Sequence, residues 1–86
     1  MQEILLNVHN FHSEKKNKDY SVIQVLRPLS SREIQNGFLG EQTVEEIFLP
    51  DNLVGRFGAK DIGKEIVRQY SVLGGKAILD DIVIKN

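Results

Sequence analysis

The sequence contains no cysteine and no tryptophan, only two prolines, and no long hydrophobic run. Without cysteine the chain forms neither a disulfide nor a thiolate metal site, which excludes a small secreted protein held together by disulfides. No apolar stretch approaches the ~18–20 residues of a membrane-spanning helix, and residues 1–4 lack the basic start of a signal peptide. We therefore expect a cytoplasmic protein without a membrane partner.

Size and composition are those of one small folded unit. The 86 residues are 41% hydrophobic, which is too apolar for a disordered chain, and two domains would each be too small to support a core. We predict a single domain over residues 1–86. A domain this small buries only about 60–65% of its unfolded surface, so association with a second copy is a realistic way to complete it.

The net charge of −1 argues against a strongly basic nucleic-acid binder, but the charges are unevenly distributed. Residues 12–28 and residues 54–68 each carry four bases and two acids, a local +2, whereas residues 41–51 carry four acids and no base. Such runs are typical of solvated faces as well as of functional patches. The total charge therefore does not exclude a nucleic-acid surface.

Five segments with an apolar period of two, separated by turn-forming residues, predict β-strands. The predicted strands are residues 3–12, 20–29, 43–49, 66–73 and 76–85. The second strand carries apolar residues on both faces, as expected in a closed or nearly closed sheet. Gly74 and Gly75 predict a tight hairpin between the last two strands.

The connection between the third and fourth strands has weak helical character. Asp51 or Asn52 can cap a short helix there, but three glycines within residues 55–63 each cost about 1 kcal/mol in a helix interior. We expect one short helix or two separate turns. Residues 28–40 are predicted to be irregular, with Ser30 and Ser31 at a turn or a helix cap. The fold class is therefore mainly β: a five-stranded OB-fold, a Greek-key β-barrel, with a short helix between strands 3 and 4.

Residues suited to catalysis or metal binding are few. His9 and His12 are three residues apart on a strand, so they project to opposite faces and are poorly placed to hold one metal ion. Asp80 and Asp81 are adjacent on a strand, and their carboxyl groups also point apart. Without a nucleophile and base in a defined arrangement, we predict that the protein is not an enzyme. We expect no catalytic residue, no metal, no cofactor and no small-molecule substrate.

The segment 13–20 is the most informative part of the sequence for function. Lys15, Lys16 and Lys18 lie on a predicted hairpin tip, and Tyr20 opens the following strand. Lysines on a loop make sequence-independent contacts to phosphates, and a neighbouring ring offers a stacking surface for a base. The alternative is a solvated hairpin whose lysines discourage edge pairing and whose Tyr20 lies in the core.

Other cations and aromatic residues extend the candidate nucleic-acid surface. Phe38 lies between two glycines and either packs onto the core or makes a stacking or subunit contact. Arg56 and Phe57 place a cation beside a ring in the glycine-rich connection, and Arg27 is a candidate strand-face cation. Two further aromatic residues lie on strands and are more typical of a core: Phe48 and Tyr70.

The chain has a strand, a basic tip, an aromatic residue and a second strand in succession. This order resembles the small single-stranded-DNA-binding (helix-destabilising) proteins of filamentous phages and related mobile elements. The first matching stretch is Lys15-Lys16-Asn17-Lys18-Asp19-Tyr20-Ser21. The second runs from Gly63 to Ile84, where Tyr70-Ser71-Val72 leads through the glycine hairpin into an aliphatic strand interrupted by Asp80-Asp81. Together these stretches cover about half of the chain.

The resemblance implies phosphate contacts from Lys15, Lys16 and Lys18, base stacking on Tyr20, and a homodimer that binds single-stranded DNA cooperatively during replication or transfer. The chain departs from the family at Leu73-Gly74-Gly75, where the family has an aromatic residue. The sequence does not distinguish DNA from RNA or from an oligosaccharide as the ligand of an OB-fold. The second hypothesis is a protein-interaction or assembly subunit that uses the acidic segment 41–51 and Phe38.

Overall fold

In a computed structural model that describes residues 2–85, the chain forms one antiparallel five-stranded sheet, a short α-helix and two 3₁₀ turns. The strands are β1 (Glu3–Ser13), β2 (Lys18–Pro28), β3 (Gln42–Phe48), β4 (Glu65–Leu73) and β5 (Lys76–Lys85). All five predicted strands are confirmed, with ends that differ by at most two residues. The predicted domain, 1–86, extends one residue further at each end, and residues 1 and 86 lie outside the described part.

The strand order in the sheet is β3-β2-β1-β4-β5, with β1 at the centre. β1 pairs with β2 along nearly its whole length, but with β4 only through Glu3 and Ile4. Over residues 2–85 the two outer strands, β3 and β5, do not pair with each other. The sheet is therefore open along this seam.

The core lies on the inner face of the sheet and is covered by the connection between β3 and β4. Ile23 and Val25 of β2 are fully buried, as their position on one face of the strand predicts. The buried cluster is completed by Leu5, Leu49, Leu53, Phe57, Ile66 and Ile82. Each such side chain contributes about 1.5–3 kcal/mol on burial, so this cluster is the main source of stability.

The α-helix corrects one part of the predicted fold. Helix α1 (Ser31–Gln35) lies between β2 and β3, inside the segment predicted to be irregular, and not between β3 and β4. The latter connection instead contains two 3₁₀ turns, Asp51–Leu53 and Ala59–Asp61, which is the second of the two predicted forms. Within residues 2–85 no helix is long enough and apolar enough to cross a membrane.

Helix α1 forms because both of its ends are capped. The Ser30 hydroxyl accepts the Glu33 N–H at 3.2 Å, and the Glu33 carboxylate accepts the Ser30 N–H at 2.9 Å, a reciprocal capping box. At the other end Gly37 adopts a φ of +96°, and the Phe38 N–H donates to the Glu33 carbonyl. This glycine-terminated end directs the chain towards β3.

Ion pairs connect β1, β2, β3 and β4 on the inner face of the sheet. The Arg27 Nε lies 2.5 Å from a Glu45 oxygen, and Arg68 reaches the same carboxylate at 2.9 Å and Glu3 at 2.5 Å. The hydrogen bond from Arg68, followed by that from Arg27, lowers the pKa of Glu45 against the opposing effect of its burial. Glu45 therefore stays ionised and bridges β2 and β4 from its position on β3.

Candidate nucleic-acid interface

A row of three aromatic rings lies on the outer face of β1 and β2. The register places Phe11 directly opposite Tyr20, and their rings stack with centroids 5.5 Å apart and planes 24° apart. His9 lies two residues before Phe11 on the same face, with 5.0 Å between the two ring centroids. His9 and Phe11 are exposed and Tyr20 is half-buried, so the row places aromatic rings at the surface, and aromatic rings are the groups on which unpaired bases stack.

A β-bulge places these rings on the outer face. Leu5 pairs with Val25 and Asn7 pairs with Gln24, so Leu6 is the extra residue on β1. An extra residue reverses the face alternation of the rest of its strand. Leu5 before the bulge is consequently buried, while Phe11 beyond it lies opposite Tyr20 on the outside.

The basic tip, residues 14–18, lies at the end of this aromatic row. Lys15 and Lys16 occupy the turn between β1 and β2 and are exposed. Asn17 closes the turn with a φ of +48°, a left-handed conformation that asparagine tolerates better than most residues. The turn therefore holds two ammonium groups in solvent beside the ring pair.

Lys18 connects the basic tip with the aromatic row. Its Nζ lies 5.6 Å from the centroid of the Tyr20 ring, which is cation–π distance. The same Nζ lies 2.9 Å from a carboxylate oxygen of Asp51. The hydrogen bond and the negative charge of Asp51 raise the pKa of Lys18 above its ordinary value, so this ammonium is charged at neutral pH.

The backbone beneath the aromatic row is tied to the core. Ser21, next to Tyr20, is buried; its hydroxyl donates to the Asn10 side chain and accepts the Gly55 N–H at 2.9 Å. These bonds join β1, β2 and the connection after β3 at one point. An open depression of about 390 Å³ lies beside this point and is lined in part by Phe11 and Tyr20.

The outer face continues from β2 onto β3. Phe48 pairs with Val22 and is 64% exposed, so the prediction that it belongs to the core is wrong. Tyr70, the other strand aromatic predicted to be buried, is 54% exposed on β4. Phe48 extends the aromatic surface to a third strand, whereas Tyr70 lies elsewhere on the molecule.

Four of the eight predicted site residues come together at the tip, and four do not. The residues that come together are Lys15, Lys16, Lys18 and Tyr20. Phe57 is only 4% exposed and belongs to the core, so its ring offers no surface to a ligand. Phe38 is exposed, but it lies in the loop after α1 and is not part of the aromatic row.

The two predicted arginines are engaged in ion pairs. Arg27 lies on the inner face of β2, where it contacts Glu33 at 2.7 Å in addition to Glu45. These carboxylates raise the pKa of Arg27 above its ordinary value. Arg56 pairs with Asp81 of β5. Both guanidinium groups therefore hold elements of the fold together in the described structure.

Three residues of this surface were not predicted from the sequence: His9, Phe11 and Phe48. The register of the first hairpin was the available signal for Phe11, because a four-residue turn over 14–17 places residue 11 opposite residue 20. Over residues 2–85, no three side chains of the types that bind metals converge on one point.

Comparisons with family models, with curated proteins and with solved structures find no match to this chain. The resemblance to the phage proteins consequently stays a prediction.

Proposed function

We propose that the protein binds single-stranded DNA without sequence specificity and without catalysis, in the replication or transfer of a phage or other mobile element. The stacked Phe11–Tyr20 pair beside the lysines of the basic tip carries the proposal. Ring faces accept any base, and ammonium groups accept any phosphate, so such a surface favours single strands over a particular sequence.

The strand arrangement supports the OB-fold as the finer description of this sheet. OB-folds are partly open five-stranded barrels that bind oligonucleotides on the face of strands 2 and 3 and on the loops after strands 1 and 4. Here the turn between β1 and β2 carries Lys15 and Lys16, and the adjoining outer face carries the rings. The ion pair of Glu45 on β3 with Arg68 on β4 joins two strands that are not neighbours in the sheet, which is consistent with a strongly curved, barrel-like sheet.

Fluorescence anisotropy of labelled oligo-dT over a salt series tests the function. If Lys15, Lys16 and Lys18 each neutralise one phosphate, the slope of log K against log salt is roughly −2, since each contact on a single strand contributes about −0.7. A blunt duplex of the same length serves as the control, because its bases are not available for stacking. Absence of binding at low salt, or binding without a salt slope, contradicts the proposal.

Charge reversal at the tip locates the site. We expect Lys15→Glu with Lys16→Glu to weaken binding to oligo-dT and oligo-dA alike, and to reduce the salt slope by about 1.4. The matched control is Lys60→Glu with Lys64→Glu, which changes the net charge equally at two exposed positions outside the tip. Equal effects of the two double variants place the site away from the basic tip.

A homodimer is part of the proposal, and the outer half of the β4–β5 hairpin, residues 70–79, is its candidate contact. Val72 and Leu73 are 78% and 71% exposed, and Lys76 is the only charged residue in this stretch. Within residues 2–85 no third strand pairs with this half of the hairpin, and an isolated two-stranded hairpin is marginally stable in water. A second copy that covers this half supplies the missing contacts.

One observation favours the alternative function, a protein-interaction or assembly subunit. Phe38 and Leu39 are 53% and 96% exposed in the loop between α1 and β3, close in sequence to the acidic start of β3. Such an apolar group on a defined loop suits a protein contact. The oligo-dT titration decides between the two functions, because this alternative predicts no salt-dependent DNA binding.

A further inference from the structure

The Lys18–Asp51 contact holds a carboxylate at the point where the basic tip meets the aromatic row. Asp51 reaches Lys18 through both of its oxygens, at 2.9 and 3.1 Å. Lys18 and Tyr20 are two residues apart and therefore share the outer face of β2. A base stacked on Tyr20 carries its phosphate only one sugar away, which brings that phosphate into reach of the Lys18 ammonium.

The backbone on both sides of Asp51 is anchored to the core. Asp51 begins the 3₁₀ turn Asp51–Leu53, whose last residue is only 1% exposed. On its other side Leu49 is buried, and the Leu49 N–H donates to the Ser21 carbonyl at 2.9 Å. The backbone on both sides of Asp51 is thus anchored, at a place where the carboxylate reaches the Lys18 ammonium.

Among the described residues, Lys18 is the only hydrogen-bond partner of the Asp51 side chain. The carboxylate is exposed to solvent in the first turn of Asp51–Leu53. A carboxylate and a phosphate are alternative anionic acceptors for one ammonium group. Its contact with Lys18 therefore has the chemistry of the contact proposed for the nucleic-acid backbone.

We propose that Asp51 occupies the position of a backbone phosphate and competes with the nucleic acid for Lys18. This inference rests on the proposed function and deepens it: Asp51 lowers the affinity of the interface for single-stranded DNA. A single strand that binds must displace the carboxylate or leave Lys18 unused. The protein therefore releases single strands more readily than the same surface would without Asp51.

The test is the affinity of Asp51→Asn for labelled oligo-dT at low salt. The substitution keeps the shape of the side chain and removes its charge, and an exposed ion pair of this kind corresponds to a gain of about two- to fivefold in affinity. Glu41→Gln is the matched control, because it removes one exposed acid at the opposite end of β3. We expect the control to gain less than Asp51→Asn.

The same titration in a Lys18→Gln background isolates the competition. Asp51→Asn should then gain no more than Glu41→Gln, because the ammonium for which Asp51 competes is absent. Equal gains of Asp51→Asn with and without Lys18 overturn the inference, as does wild-type binding that Asp51→Asn does not tighten. If neither the wild type nor any variant binds oligo-dT, the proposed function is contradicted, and this inference is contradicted too because it rests on that function.

Discussion

Tyr20 is the residue at which the charge and the ring surface of the candidate interface meet. Its ring stacks on that of Phe11, with centroids 5.5 Å apart, and the Lys18 ammonium lies 5.6 Å from its centroid. A ring already held by such contacts loses little conformational entropy when it binds a base. We therefore expect its aromatic character, and not its hydroxyl, to determine binding.

We predict that Tyr20→Ala weakens oligo-dT binding by about 1–3 kcal/mol, or roughly 5- to 150-fold, while Tyr20→Phe stays close to wild type. Anisotropy at one fixed low salt concentration measures both variants, and thermal melting confirms that they are folded. Phe38→Ala removes an exposed ring outside both the aromatic row and residues 70–79 and serves as the control. A loss from Phe38→Ala as large as that from Tyr20→Ala would show that the row is not the stacking surface.

The residues of the site that could be predicted are those that are neighbours in the sequence. Lys15, Lys16, Lys18 and Tyr20 come together because one turn and one strand carry them all. The pairing of Arg27 could not be predicted in this way, because its partners Glu33 and Glu45 lie 6 and 18 residues away in the sequence. Whether an arginine is free or paired depends on tertiary contacts that a local pattern does not contain.

At the scale of elements, the strands were predictable and the helix position was not. Alternation of apolar residues identifies a strand by itself, because one face of each strand must be buried. Helix α1 is too short for an apolar periodicity, and Pro28 and Gly37 at its flanks indicate a loop. The capping box of Ser30 and Glu33 was its readable signal, three residues apart as the motif requires.

The Glu33 carboxylate makes the stability of this element depend on pH. The hydrogen bond from Arg27, supported by the Ser30 N–H, lowers the pKa of Glu33 from 4.5 to about 2. The unfolded chain therefore binds a proton at Glu33 more readily than the folded chain does. The stabilisation is present in full above the unfolded pKa and is lost as the pH falls from about 4.5 to about 2.

We predict that the melting temperature of wild type falls over this acidic range and that Glu33→Gln removes part of the fall, because glutamine does not titrate. Melting curves by circular dichroism at closely spaced pH values measure the difference. Glu41→Gln is the control, since Glu41 is an exposed acid on the far side of the loop. Parallel pH curves for wild type and Glu33→Gln contradict the role assigned to the capping carboxylate.

At the scale of the whole molecule, the balanced charge reflects internal pairing more than a neutral surface. Two acids of segment 41–51 are paired with bases: Glu45 binds Arg27 and Arg68 on the inner face, and Asp51 binds Lys18 at the surface. Within residues 2–85, Lys15 and Lys16 make no such ion pair. Two adjacent exposed lysines without an ion pair therefore lie at the basic tip, although the chain as a whole has a net charge of −1.

The molecule also exposes more surface than its mass requires. Its accessible surface is 6292 Å², whereas a compact monomer of 9.8 kDa has roughly 5,200 Å². Its radius of gyration is 14.4 Å, against about 12 Å for a compact chain of this length. The excess surface is on the order of the ~800 Å² that each partner buries in a stable complex. The projecting half of the β4–β5 hairpin supplies apolar residues for such a contact.

We predict that the wild-type protein has twice the 9.8 kDa chain mass in light scattering coupled to size-exclusion chromatography, and that Leu73→Asp has the mass of one chain. Leu73 is largely exposed, so the new carboxylate leaves the monomer folded but would bury a charge in the dimer, which is strongly unfavourable. Leu39→Asp is the matched control, because it places the same charge on the exposed loop after α1. A dimer that survives Leu73→Asp and dissociates with Leu39→Asp assigns the contact to that loop. A wild-type monomer at high micromolar concentration excludes the dimer altogether.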